Sequence, residues 1–302
     1  MNNTMVSLNA RNTQFAYKLL MPAIILTFLV HIIPTIWGIY ISFRKLNVYY
    51  IRNWTEAPFI GFANYSKALS SLQGVFWTSL GYTLIFVIAS VLGCFILGIL
   101  GAVLLNDNFR GRNIIRGILL VPYILPGVVS LTNLRFMLLQ DWGIINSILL
   151  NIGLINEPIS WLTGKMALVS IIIGNIWIRW PLWFITILAS LQSIPGELYE
   201  AAKVDGASDW QGFRHITLPS ISPTITVLTV LTALWSFNNF TVPFILTGGS
   251  PSKEANILSL NIWIRSFKNW DFGMGAAMSV VMMLIMLVLI LTYLRLTKLE
   301  AE

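Results

Sequence analysis

The chain has 302 residues, of which 10% are charged and 56% hydrophobic. An ordinary soluble protein carries about 25% charged residues, so this chain lacks the polar surface of a soluble enzyme, a nucleic-acid-binding domain or a disordered protein. The net charge of +7 therefore reads as Lys and Arg in loops at a membrane surface, not as a nucleic-acid footprint. The one cysteine, Cys94, allows neither an intrachain disulfide nor a thiolate metal cluster.

In chain order, the long intervals without a charge are Leu19–Phe43, Ala68–Asn106, Gly117–Leu134, His215–Ser252 and Phe272–Leu294, and Met166–Leu191 is interrupted only by Arg179. A bilayer core of about 30 Å takes about 20 apolar helical residues to cross. The expectation is an all-α integral membrane protein with six transmembrane helices, at about 17–43, 75–105, 114–139, 166–191, 216–246 and 272–295. A re-entrant segment is an alternative for the short third interval, but six spans is the more economical count. The first apolar run is too long for a cleaved signal peptide, and no small-x-small site follows it. With no internal repeat and no long linker, residues 1–302 read as a single transmembrane domain. Six spans place both termini on one side. Lys and Arg divide almost evenly between the two sets of loops, and although the basic turn Asn108–Arg116 leans toward the N-terminus inside, composition alone leaves orientation open.

Polar residues inside spans are expensive and mark function or interhelical bonding. Arg179 lies in span four within Trp177-Ile-Arg-Trp-Pro-Leu-Trp183, beside Trp177 and Trp180. It either bonds backbone freed by Pro181 or forms a cation in a substrate cavity lined by aromatics. Span five carries Asn238 and Asn239, about 100° apart on a helix. At least one is expected to face protein or cavity, as interhelical bonding or as a contact for a hydroxyl-rich ligand. His31 in span one reads as a bundle residue, since no carboxylate shares its span. No span contains Asp or Glu, so a secondary carrier lacks its usual coupling carboxylate. There is no G-x-x-x-x-G-K-[ST], and no metal pair or nucleophile elbow to support a membrane-embedded enzyme. The chain is expected to be non-catalytic, with no cofactor or metal of its own.

The most informative stretch is polar and lies between spans four and five, at 194–219. Pro195 fits the first turn of a helix, Glu197 and Glu200 complement its N-terminal dipole, and Gly206 fits a positive-φ turn. Ser208-Asp-Trp-Gln211 reads as a capping box opening a second short helix. The two form a helix–turn–helix at the membrane surface.

Within it, Glu200-Ala201-Ala202, Gly206 and Ile216-x-Leu218-Pro219 keep a fixed spacing that resembles the EAA loop of permeases of binding-protein-dependent ABC importers. The form Tyr-Glu-Ala-Ala-Lys-Val-Asp-Gly-Ala-Ser is similar to the sugar branch, of maltose and glycerol-3-phosphate type. Gly61-Phe-Ala-Asn-Tyr65, Leu246-Thr-Gly-Gly-Ser-Pro251 and Phe272-Gly-Met-Gly-Ala-Ala277 agree with it, with Ser250 departing from the family's usual glycine. The resemblance implies the type I importer permease fold and a multi-pass protein of the cell membrane. It implies a second permease subunit, two cytoplasmic ATPase subunits that use the ATP, an extracytoplasmic sugar-binding protein and a sugar substrate. Residues 194–219 would then be cytoplasmic, with both termini inside. Glu200 would contact the ATPase, Ala201 and Ala202 would allow close approach, and Gly206 would make the turn.

Overall fold

The regular elements are all helical. Among the residues the structure describes (15, 17–70 and 74–299) there is no strand, only the isolated bridges Arg44↔Phe59 and Asn47↔Asp271. In this computed structural model five helices are long and apolar enough to cross a membrane: α1 (Tyr17–Ser42), α3 (Val75–Leu104), α7 (Gly164–Gln192), α9 (Asp209–Phe237) and α12 (Phe272–Leu299). Between them lie α2 (Ala63–Leu69), α4 (Arg112–Ile124), α5 (Gly127–Met137), α6 (Ile144–Asn151), α8 (Gly196–Val204), α10 (Thr241–Thr247) and α11 (Leu258–Trp263). The termini, and with them the side on which each lies, fall outside the described residues.

Two expected spans are not single straight helices. Residues 114–139 divide into α4 and α5, bent by 94°. The cause is local. Pro126 forces Leu125 out of the helical region, to ψ 145°, and has no N–H to continue the ladder, so a new helix starts at Gly127. Residues 216–246 likewise divide, because α9 ends at Phe237 and α10 starts at Thr241. At its other end α9 reaches back to Asp209, so the short second helix of the polar loop is continuous with the long helix. A π-turn at Phe213–Thr217 joins the two. Pro219, which cannot donate to a carbonyl one turn earlier, lies two residues past the end of this π-turn, and such a turn accommodates the missing bond.

The fold has two compact units, Met1–Ser70 with Ile264–Val281 and Ser71–Trp263 with Met282–Glu302. In the first, Ile41, Leu46 and Ala57 form a small core. Arg44 Nη1 donates to the carbonyls of Thr55 and Ala57, both at 2.9 Å, and Asn64 Nδ2 donates to those of Ser42 and Arg44. Gly273 N–H bonds Leu46 O at 2.9 Å, and a Cβ at Gly273 would run into the Arg44 carbonyl, so this glycine allows the close approach.

The second unit is organised on α3 and α7. Ser90, Cys94, Gly98 and Ala102, spaced four apart, are all buried on one face of α3. A Cβ at Gly98 would lie 2.6 Å from Trp183 Cβ, so the backbones approach as small residues allow. Lipid supplies no hydrophobic drive between helices. Association therefore rests on this packing and on hydrogen bonds of about 0.6–2 kcal/mol each. Trp183 Nε1 donates to Thr232 Oγ1 of α9 at 2.7 Å, and Leu258 N–H to Thr83 Oγ1 at 2.8 Å.

Candidate functional site

The polar loop begins with Pro195 as the cap of α8, in extended conformation (ψ 129°), one position before the first turn where the sequence placed it. Helix α8 then closes in a Schellman motif. Gly206 at φ +80° sends its N–H to Lys203 O (3.1 Å), and Ala207 N–H reaches Ala202 O (2.9 Å). The next helix opens with a reciprocal capping box between Ser208 and Gln211. Tyr199 Oη lies 2.8 Å from Thr217 Oγ1, fastening α8 to the base of α9. The bond joins two helices across the turn, so α8, the glycine turn and α9 form one braced corner. Glu197, Leu198, Glu200, Ala201, Val204 and Trp210 project outward, with Val204 88% and Trp210 67% exposed. Ala202 is half-buried under them; Ile216 and Leu218 are half-buried and Pro219 is exposed at the start of the long helix. A cleft of about 430 Å³ separates this corner from the end of α3 and is lined by Asn106, Asp107, Tyr199, Lys203, Asp209 and Phe213 among others.

The second group is intramembrane. Asn175, fully buried on α7, is its hub. Its Oδ1 accepts from Arg179 Nε (2.9 Å) and from Asn239 Nδ2 (2.8 Å), and its Nδ2 donates to Ser236 Oγ (2.9 Å). Asn239 Oδ1 accepts from Val242 N–H (3.0 Å), which caps α10, and its own carbonyl accepts from Ser259 Oγ (2.8 Å). The Arg179 guanidinium carbon lies 5.4 Å from the Trp235 ring centroid. Arg179 thus bonds a side-chain amide, where the sequence reading offered backbone freed by Pro181. A cavity of about 180 Å³ opens beside it, lined by Pro122, Tyr123, Gly127, Arg179, Thr232 and Trp235 among others.

Of the five intramembrane residues the sequence singled out, only Arg179 and Asn239 join this network. Trp177 is 47% exposed on the outside of α7, and Trp180 packs against Phe184 at 6.2 Å. Asn238 is exposed, with Nδ2 reaching Leu234 O and Met286 Sδ, both at 3.2 Å. Asn175, Tyr123 and Trp235 were missed. Asn175 stands four residues before Arg179, on the same helical face, a signal the sequence does carry. Among the described residues no group of His, Cys, Asp and Glu is placed to hold a metal ion.

Known proteins give the same architecture. The chain is 32% identical over 295 residues, 97% of each chain, to the trehalose/maltose transport system permease protein MalF of Thermococcus litoralis. It is 32% identical to the sulfoquinovosyl glycerol transport system permease protein SmoG of Agrobacterium fabrum, covering 94% of this chain and 90% of that one. In structure it is similar to a chain of a bacterial alginate ABC transporter solved with an alginate pentasaccharide-bound periplasmic protein, with TM-score 0.77 and 26% identity over 94% of each chain. Residues 94–299 match the model of the binding-protein-dependent transport system inner membrane component. With its long apolar helices and braced polar corner, the chain belongs to that family, the multi-pass, non-catalytic membrane subunits of ABC importers.

Proposed function

We propose that this chain forms half of the pore through which an ATP-driven importer takes up a sugar, oligosaccharide or sugar-like polyol. The transport proteins similar to it are named for trehalose/maltose and for sulfoquinovosyl glycerol, and the solved complex holds alginate on its periplasmic protein. All three names are of carbohydrates or glycosides. A second permease, two cytoplasmic ATPase subunits and an extracytoplasmic sugar-binding protein complete the complex. ATP is used by the ATPases.

The observation that carries this reading is the braced corner at 194–219. An ATPase seated on the outward face of α8 would contact Glu200, Ala201 and Ala202. Because the turn at Gly206 is closed by two backbone bonds and Tyr199 is tied to Thr217, displacement of α8 would carry the long helix α9 with it. Helix α9 in turn bears Thr232 and Trp235 of the Arg179 cavity, and Asn238 and Asn239 follow it. ATP-driven motion would therefore reach the residues proposed to line the substrate path. In this reading residues 194–219 lie in the cytoplasm and both termini inside.

The test is uptake by the purified complex in proteoliposomes, with its binding protein and a panel of labelled saccharides. ATP-dependent accumulation of at least one saccharide is expected; accumulation of none, by a complex that hydrolyses ATP, would refute the assignment.

A further inference from the structure

Arg179 stands at the middle of α7, and only part of its hydrogen-bonding capacity is used. Nε donates to Asn175, and the guanidinium lies against Trp235, but the two terminal nitrogens find no acceptor among the described residues. By contrast, Arg44 Nη1 and Arg116 Nη2 donate to backbone carbonyls and so fix loops. A cation at this depth is costly unless it meets water or negative charge, and no Asp or Glu lines the cavity beside it. Gly127, the first residue of α5, also lines the cavity, so the positive end of a helix dipole adds to the same field. Tyr123 and Trp235 supply aromatic surface next to the free donors.

From this juxtaposition we infer that the Arg179 cavity is an anion subsite on the translocation path, taking a carboxylate, sulfonate or phosphate substituent of the transported saccharide. The inference rests on the saccharide-permease reading and specifies its substrate class. Asn175 holds Nε and so orients the planar fork, leaving its terminal donors to meet two anionic oxygens side by side. Trp235 shields one face of the guanidinium. Asn175 is a positioning residue here, and Arg179 is the contact.

The experiment uses the assembled importer in nanodiscs, titrated with sodium glucuronate and, separately, with glucose, with binding measured by calorimetry. Glucuronate is expected to bind about tenfold to a hundredfold more tightly than glucose, the range of one charge-assisted hydrogen-bonded pair. Arg179→Gln should remove that preference, bringing glucuronate affinity down to that of glucose in the same variant, whereas Arg179→Lys, which keeps the charge, should retain part of it. Equal binding of the two sugars by the wild-type complex would overturn the subsite without any variant being needed. So would an equal loss for both sugars in Arg179→Gln, or a loss of preference in Arg179→Lys as complete as in Arg179→Gln. If the same complex still imports neutral saccharides with ATP, the subsite fails alone; if it imports none, the permease reading fails with it.

Discussion

Gly206 is held at φ +80°, and a Cβ built there meets nothing within 4 Å. A side chain at this position would therefore suffer from backbone strain rather than from a clash. Gly206→Val should cost about 1–3 kcal/mol in this turn, loosening the corner. The expected result is a protein that inserts normally but co-purifies poorly with its ATPase and transports little. Gly206→Asn, which tolerates the left-handed region, should retain most of both activities. Equal behaviour of the two variants would show that the turn's backbone conformation is not what matters. The two asparagines should also separate. Asn239 uses both ends of its amide inside the fold. Asn239→Ala is thus expected to lower thermal stability and complex yield by removing bonds worth about 1–3 kcal/mol when left unpaired. Asn238→Ala, at an exposed position, should leave assembly intact and reduce uptake if its amide meets the substrate. Thermal unfolding of the purified complexes, read beside uptake rates, distinguishes these outcomes.

Among the elements, the packing of α3 on α7 makes the strongest demand. Gly98→Val would push a branched side chain into Trp183, whose own ring is fully buried, and neither backbone can withdraw without opening the seam. Gly98→Val is expected to abolish recovery of folded complex in detergent, measured by size-exclusion profile, whereas Gly38→Val, where a Cβ meets nothing within 4 Å, should not. The four-residue spacing of Ser90, Cys94, Gly98 and Ala102 is present in the sequence, but a helix that is apolar on every face gives no moment to point at it. Features set by local chemistry are another matter. The capping box at Ser208 and the positive φ at Gly206 follow from adjacent residues, and both are legible in the sequence. The break at Leu125-Pro126-Gly127 is half legible: the proline that ends the helix is visible in the sequence, but the 94° angle at which the next helix leaves is not. The network through Asn175 joins residues more than 60 positions apart. Only the Asn175–Arg179 pair, one turn apart, could have been read in advance.

For the whole molecule, the reading requires that residues 194–219 face the cytoplasm and that a partner cover α8. Orientation cannot rest on loop charge, because Lys and Arg are almost evenly divided between the two sides. It rests on family membership and on the polar, outward-facing corner. A cysteine at Ser252, in a Cys94→Ser background, should react with a membrane-impermeant maleimide only in right-side-out vesicles, since Ser252 lies half-buried on the loop after α10. The most direct measurement places the cysteine at Glu200 in the same background and follows maleimide labelling in inside-out vesicles, with and without the ATPase subunits. Labelling from the cytoplasmic side is expected, with strong protection once the ATPase is bound. Labelling from the outside, or cytoplasmic labelling that the ATPase leaves unchanged, would contradict the assignment of α8 as the ATPase-coupling surface.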